Sequence, residues 1–292
     1  MVATRGGRGR PPCKIGLRMP GAFAARTGSR DMSPIEFYLK LRLHGPQVPA
    51  ALDRARGIAA VARGDRAGAL RCDWFLQEPR SELIAMLVLR NLDALESHLQ
   101  GAQAAYGELV RPGAAELILL GGAGSGVGSA LERWLRVAVH AFEFGGGRAA
   151  QSAARGFAHE DGAIATPHIE IFTRFAIRSG RNAVFRRSAA ALVDIVCAQD
   201  PGTPRYDWFY DASGEAGLAL DTYADPASMF AHMRNAHDVH EQLLHDATMI
   251  TEFLGELPPR AREAVAKYDP YVARFVCGIG AHSAGALAPR GD

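Results

Sequence analysis

The chain has 292 residues, of which 48% are hydrophobic and 22% charged, and its formal net charge is +2 at pH 7. This is ordinary globular composition, which excludes a collagen-like, coiled-coil or wholly disordered chain. No apolar run approaches the roughly 20 residues of a membrane helix, and the four cysteines form no CxxC pair, so we expect a cytoplasmic protein without a membrane partner.

The first segment, residues 1–31, is rich in Gly, Pro and Arg, and its only acidic residue is Asp31. It lacks apolar periodicity and cannot bury a core, so we predict a disordered basic tail. Since this tail holds much of the positive charge, the rest of the chain is acidic overall. We therefore expect no nucleic-acid partner.

The next segment, residues 32–146, is predicted to form a first domain with the element order β-α-β-β-α-β. The predicted elements are strand 36–43, helix 48–62, strands 71–76 and 83–90, helix 92–105 and strand 116–120. The glycine-rich run 121–128 follows that last strand. It has neither the GxGxxG spacing of a dinucleotide loop nor the GK[ST] of a P-loop, so we predict a flexible loop and no nucleotide site.

A small, polar stretch at 147–165 is predicted to be a linker, and residues 166–281 a second domain. Asp225-Pro226 is a helix start signal within this domain. The predicted elements are strand 169–177, helix 183–197, strands 206–210 and 218–223, a helix from 226 towards 244, strand 249–254, helix 259–266 and strand 272–277. Residues 282–292 are predicted to be a flexible C-terminus.

The two domains are related by an internal repeat. The segment 71–75 (RCDWF) recurs 134 positions later as 205–209 (RYDWF), and the same offset aligns His98 with His232 without gaps. We therefore predict an α+β fold of two tandem ferredoxin-like βαββαβ domains, arising by duplication. Each sheet has helices on one face only, so the two sheets should pack against each other as an internal pseudo-dimer, and a further homodimer stays open.

The second half resembles the antibiotic biosynthesis monooxygenase (ABM) family, which includes quinol monooxygenases and anthrone oxygenases. The resemblance lies in the order and spacing of 201–209 (PGTPRYDWF), 220–225 (LDTYAD), Ala231-His232 and His237. It implies the dimeric α+β barrel fold and O₂-dependent oxidation of a phenolic, anthrone-like or quinol-like aromatic substrate, of the polyketide type, without metal or flavin. Family members are usually single-domain dimers, whereas this chain fuses two copies.

Three residues of the second half are predicted to be catalytic. Such a reaction needs a base to form a phenolate or carbanion, and the imidazole of His232 titrates in the useful range. The indole of Trp208 can stack on a planar substrate and donate a hydrogen bond to a developing oxyanion. Asn235 shares a helical face with His232 and is expected to position substrate and intermediate.

A wider set of side chains is predicted to bind the substrate. On the strand of Trp208, alternation places its two tyrosine neighbours on the same face. The set consists of Tyr206, Tyr210, Asp221, Tyr223, His237, Trp74 and His98. The first half has Gly101 and Gln103 where the second has Asn235 and His237. We therefore expect the working site in the second half, although activity in both halves stays open.

Other chemistries stay open at this point. His237 and His240 are three positions apart on a helix, but no third ligand shares their face, so no metal site is predicted. No cofactor is expected beyond O₂ as co-substrate, with reduced flavin as the alternative. A polyketide cyclase or isomerase, or a non-catalytic ligand-binding barrel, would use the same fold.

Overall fold

The computed structural model describes residues 34–65, 68–110, 114–121, 125–136, 139–147, 169–266 and 270–279. The predicted basic tail, the C-terminal segment, nearly all of the predicted linker and residues 122–124 of the glycine-rich run lie outside these residues. In the described part of the chain, no helix is long and apolar enough to cross a membrane.

The first half contains five strands and four helices in the described residues. They are β1 (Ile35–Arg42), α1 (Val48–Gly64), β2 (Ala69–Gln77), β3 (Glu82–Leu89), α2 (Leu92–Gly101), α3 (Gln103–Leu109), β4 (Ala115–Leu120), α4 (Ser125–Leu135) and β5 (Val139–Gly147). Helix α2 begins at a side-chain cap, since Asn91 accepts a hydrogen bond of 2.9 Å from the backbone N–H of Ala94.

The second half repeats this order. Its elements are β6 (Ile169–Ile177), α5 (Asn182–Gln199), β7 (Arg205–Asp211), β8 (Ala216–Tyr223), α6 (Pro226–Asn235), α7 (His237–Asp246), β9 (Ala247–Leu254), α8 (Pro259–Val265) and β10 (Tyr271–Ile279). Asp225 caps α6 as its sequence signal predicts, accepting a hydrogen bond of 2.7 Å from the N–H of Ser228. The cap lies 134 positions after Asn91, so both halves start this helix in the same way.

Two predicted helices are each divided in two. The expected helix 226–244 breaks at Ala236 and the expected helix 92–105 breaks at Ala102, two alanines that are also 134 positions apart. The ψ angles there, −2° and 11°, lie outside the helical value of about −42°, and the break in the first half directly follows Gly101. His232 and His237 consequently lie on separate helices.

The barrel that the ABM resemblance implies is observed, and the two sheets whose inner faces pack together are also joined at both edges. The strands form one closed sheet in the order β1-β3-β2-β10-β9-β6-β8-β7-β5-β4, and β4 pairs with β1. The last strand of each half closes it: β5 pairs antiparallel with β7 of the second half, and β10 pairs antiparallel with β2 of the first. Gly147, predicted to begin the linker, belongs to β5. Closure in this way leaves neither half with a free sheet edge.

The interior of this barrel is filled by side chains of both halves. Tyr38 and Phe172 stack near the centre with ring centroids 4.3 Å apart. Around them lie apolar side chains from all parts of the barrel wall: Phe75, Ile84, Met86, Ile118, Leu120, Phe142, Phe209, Leu218, Leu220, Leu254 and Ala273. The interior is therefore a packed core and the helices lie outside it, so each half has a second apolar layer between its sheet and its helices.

Two buried ion pairs join the halves across the interior. Arg71 donates two hydrogen bonds, of 2.7 and 2.6 Å, to the carboxylate of Glu170, and Arg205 donates two of 2.8 Å to that of Glu36. The two pairs are equivalent in the repeat, because Arg71 corresponds to Arg205 and Glu36 to Glu170 at the 134-residue offset. In each pair, the arginine of one half binds the glutamate of the other. Buried charges are tolerated only when paired, so each half requires the other to neutralise its own interior charge.

Candidate functional site

A cavity of about 500 Å³ lies in the second half, between the outer face of the sheet and the helices. Alternate residues of four neighbouring strands form its floor, because every second side chain of a strand points to the same face. Thr173 of β6, Trp208 of β7, Asp221 of β8 and Thr251 of β9 belong to this floor. Helices α6 and α7 form its roof, and His232 projects from α6 into it.

The matching space in the first half is filled. At the 134-residue offset, Thr173 corresponds to Leu39 and Asp221 to Leu87, and both leucines are fully buried in the first-half core. Leu117 stands in the same way for Thr251. The larger apolar side chains of the first half thus occupy the volume that the second half leaves open.

The central feature of the cavity is an Asp–His dyad, formed by Asp200 and His232. The Nδ1 atom of His232 lies 2.7 Å from Oδ2 of Asp200, and both side chains are buried, with relative exposures of 2% and 1%. Asp200 ends α5 and is held there by the amide of Asn235, which donates a hydrogen bond of 2.6 Å to Oδ1. The carboxylate accepts the Nδ1 proton, and this contact assigns the tautomer in which Nε2 is unprotonated.

The Nε2 atom of His232 has no hydrogen-bond partner among the described residues, although it is buried. The ring is bordered by Tyr206, Tyr223 and His240, whose ring centroids lie 5.0, 5.5 and 5.3 Å away. Desolvation by burial lowers the pKa of His232, while the hydrogen bond and charge of Asp200 raise it. The imidazole is therefore neutral at neutral pH, and it lies at the cavity with Nε2 as its proton acceptor.

His240 is the second histidine at the cavity. Burial, together with the neighbouring histidines His232 and His237, lowers its pKa to about 4. It is neutral under ordinary conditions and packs edge-on against the ring of His232. Its contribution is to shield that ring from water.

Asp221 is the acidic group of the cavity. Its pKa is raised to about 8, chiefly by desolvation and also by the charge of Asp207, against the lowering effects of Arg205 and a hydrogen bond with Tyr223. The residue is partly exposed, through the cavity, so water within the cavity also opposes the shift. A protonated carboxyl group is the form this setting favours near neutral pH.

Aromatic rings form the remaining wall. Phe175 stacks on Trp208 with centroids 5.2 Å apart and an interplanar angle of 25°, and Tyr206 meets the indole edge-on at 5.9 Å. The indole N–H lies beside the Tyr206 hydroxyl, where it lowers the pKa of a phenol that burial has raised, without forming a well-aligned hydrogen bond. Flat apolar surfaces of this kind suit a planar ligand.

The structure places six of the predicted site residues at this cavity, namely His232, Trp208, Tyr206, Asp221, Tyr223 and His237. His237 stands at the rim, with 68% of its side chain exposed, and its Nδ1 contacts the adjacent Asp238.

Four predicted site residues lie elsewhere, which corrects their roles. The amide of Asn235 faces Asp200 and does not line the cavity. Tyr210 lies under the guanidinium of Arg186, 3.8 Å from its ring centroid. Trp74 and His98 are fully buried in the first half. His98 is engaged there through Nε2, which lies 3.0 Å from the Tyr106 hydroxyl.

Sequence reasoning missed two residues that matter here. Asp200 lies in the Asp-Pro-Gly-Thr-Pro run, which indicates only the end of a helix, and its contact with His232 spans 32 positions. Asp65, the residue that follows α1 as Asp200 follows α5, instead accepts a hydrogen bond from the N–H of Gly68. His240 is the second of these, since it shares a predicted helical face with His237 but is not among the predicted site residues. In the described part of the chain, no three His, Cys, Asp or Glu side chains are grouped as metal ligands.

Comparison with protein-family models and with curated proteins gives no match. Among solved structures, a protein named "Putative monooxygenase" from Fusobacterium nucleatum aligns with a TM-score of 0.51 and 9% identity, over 76% of this chain and 91% of that one. One of the same name from Lactobacillus acidophilus aligns with a TM-score of 0.48 and 10% identity, over 75% and 91%. SnoaB, a cofactor-independent oxygenase from Streptomyces nogalater, aligns at 0.28 and 15%, over 32% and 99%. The alignment with the Fusobacterium nucleatum structure shows a shared fold, and the closed barrel agrees with the fold that the ABM resemblance implies.

Proposed function

We propose that this protein is an O₂-dependent monooxygenase acting on a phenolic, anthrone-like or quinol-like aromatic substrate. The observation that carries the proposal is the Asp–His dyad, which lies beside a cavity with aromatic walls and leaves Nε2 of His232 without a hydrogen-bond partner among the described residues. The shared fold with a protein named as a monooxygenase supports the same class of reaction.

Binding is the first step. A cavity of about 500 Å³ lies within the usual range for small-molecule sites, about 300–1,000 Å³. A planar ring system would lie against the stacked Phe175 and Trp208. Thr173 and Thr251, whose hydroxyls lie 3.5 Å apart, offer polar contacts on the floor.

Proton removal is the second step. Nε2 of His232 accepts a proton from the phenol or the activated C–H of the substrate, and Asp200 stabilises the imidazolium that forms. Asn235 is a positioning residue here, because it fixes the carboxylate that orients the imidazole. Burial of the dyad strengthens this electrostatic stabilisation, since little water competes for the charge.

Electron transfer to O₂ is the third step. The substrate anion is itself the reductant, so the reaction needs neither a metal nor a flavin. For a substrate SH₂ with two hydrogens on the oxidised carbon, the balance is SH₂ + O₂ → S=O + H₂O. Reduced flavin as co-substrate is the alternative within the same fold.

The two halves of the chain have unequal roles in this proposal. We infer that they are tandem ferredoxin-like domains derived by duplication. The second half carries the site, and the first half, whose Leu39 and Leu87 occupy the equivalent space, completes the barrel. One active site per chain follows.

The test is an O₂-electrode assay of the purified full-length chain with a panel of anthrones, naphthols and quinols, without reductant or added metal. We expect O₂ uptake with an anthrone-type substrate. Uptake that requires a flavin reductase would identify the flavin-assisted reaction. Substrate conversion under argon would indicate a cyclase or isomerase, and thermal shifts without turnover a binding protein. Any of these three outcomes would refute the cofactor-free oxygenase.

A further inference from the structure

The cavity contains an acid as well as a base. Asp221 sits on β8 between Ala219 and Tyr223, all three of which face the cavity. Its Oδ1 is shielded from solvent and has no hydrogen-bond partner among the described residues. The corresponding residue of the first half, Leu87, packs in the core. A polar atom in such a place costs free energy unless a ligand or water satisfies it, so its retention here points to a function.

The acid and the base are placed around the same two tyrosines. Tyr223 hydrogen-bonds to Asp221 and its ring lies 5.5 Å from that of His232. Tyr206 pairs with Asp221 in the β7–β8 register, and its ring lies 5.0 Å from the same imidazole. A ligand held against these rings would therefore be within reach of both groups.

The charged and titratable groups around Asp221 come from three directions. Behind the sheet, in the barrel interior, Asp207 favours the protonated form and Arg205 the ionised form. On the same strand Tyr223 donates to the carboxylate, and beside it on β7 stands the phenol of Tyr206. Across the cavity stand the two neutral histidines of α6 and α7. None of these groups forms an ion pair with the Asp221 carboxylate.

We propose that Asp221 is a second catalytic residue, the proton donor to the oxygen that leaves when a substrate hydroperoxide collapses to the ketone. This inference rests on the proposed function. It also narrows the substrate class, because the collapse requires a second hydrogen on the oxidised carbon, as an anthrone methylene has and a simple phenol does not.

The step balances as follows. After His232 has removed the first proton, the carbanion adds O₂ and takes up one proton, giving the hydroperoxide SH–OOH. The base then removes the second C–H proton, and that electron pair forms the C=O π bond while the O–O bond breaks. The distal oxygen leaves with the electron pair of the O–O bond and takes the proton of Asp221, so it departs as water. Carbon is oxidised, O₂ is reduced by four electrons in total, and the proton held on His232 restores Asp221 through the cavity.

The test compares Asp221→Asn with wild type and with Glu215→Gln, which removes an exposed carboxylate at the β7–β8 turn. In wild type, kcat should decrease above about pH 8 as Asp221 ionises. In Asp221→Asn we expect kcat at pH 7 to fall by about 10², the alkaline decrease to disappear, and hydroperoxide, measured iodometrically, to accumulate during a burst of O₂ uptake. Glu215→Gln should behave as wild type.

A second variant keeps the inference testable if Asp221→Asn folds poorly. Tyr223→Phe removes a hydrogen bond that lowers the pKa of Asp221, so the alkaline decrease should move to higher pH. If kcat decreases above about pH 8 in both variants as it does in wild type, Asp221 is not the proton donor. A change in KM alone, without hydroperoxide, would lead to the same conclusion, and neither result would contradict the proposed oxygenase activity. If the wild type takes up no O₂ with any substrate, that result refutes the proposed function itself.

Discussion

The matched pair His232→Asn and His98→Gln separates catalysis from structure. The two histidines are equivalent in the repeat, and both are buried, but each uses a different ring nitrogen. His232 binds Asp200 through Nδ1, whereas His98 binds Tyr106 through Nε2. Asparagine can reproduce a contact made by Nδ1 and glutamine one made by Nε2. Each substitution therefore keeps the structural hydrogen bond of its own site, and only His232→Asn removes the nitrogen proposed as the proton acceptor.

The expected magnitudes follow from these contacts. Loss of a general base costs on the order of 10²–10⁴ in rate, or about 3–5 kcal/mol of transition-state free energy. We expect that loss in His232→Asn and less than about tenfold in His98→Gln. The free energy of unfolding should decrease in both by about 1–2 kcal/mol, from the space that the ring leaves. His232→Ala is the poorer choice, because an uncompensated buried carboxylate costs several kcal/mol and would confound the comparison.

The assay measures kcat and KM by O₂ uptake, and unfolding by urea with fluorescence detection, on the same preparations. We expect the two variants to lose equal amounts of free energy of unfolding but to differ in kcat. If both variants lose rate equally, the two halves form two working sites or a shared one. If neither loses rate although both fold, His232 is not the base, and the proton acceptor must be sought elsewhere in the cavity.

Three further predictions concern the dyad, the cavity and the barrel interior. Asp200→Asn should lower kcat by at least about 10² and move the acid limb of the pH profile to lower pH, because the carboxylate raises the pKa of its histidine partner; an unmoved limb would contradict the dyad. Thr173→Leu combined with Thr251→Leu copies the first-half core, so Tm should rise by a few degrees and naphthol binding, followed by fluorescence quenching, should weaken at least tenfold; unchanged binding would place the ligand elsewhere. Arg205→Met should reduce the free energy of unfolding by about 3–5 kcal/mol because Glu36 is left charged in the interior, and a loss below 1 kcal/mol would show that water reaches the pair.

Sequence patterns predicted strands and helix starts well where these depend on neighbouring residues. The strand 169–177 is observed with those bounds, and Asp225 caps its helix as the Asp-Pro signal predicts. The 134-residue repeat predicted that both halves share one order of elements, and they do. The breaks at Ala102 and Ala236 escaped prediction because neither alanine carries a helix-breaking preference.

The long-range features could not be predicted from patterns of this kind. The partner of a strand is not encoded by its own alternation, so β5 and β10 gave no sign that they cross to the other half. The glycine at the end of β5 was instead interpreted as the start of a linker. The dyad forms only because the end of α5 packs beside α6 in the folded chain. In the sequence, Asp200 lies in a run of helix-breaking residues and indicates only the end of a helix. Asp221, by contrast, was recognisable as a site candidate because it alternates with Tyr223 on the strand predicted to lie next to that of Trp208.

The difference between the two halves explains how one chain can hold an unfavourable site. The cavity beside the dyad and the unpartnered Oδ1 of Asp221 each cost stability, and both belong to the second half. The first half fills the same volume with leucines and holds its histidine against Tyr106. Because strands and the Arg–Glu pairs cross between the halves, the well-packed half cannot unfold without exposing the other's charges. The well-packed first half thereby stabilises the second half. A symmetric dimer with an open site in each subunit would have no such well-packed half.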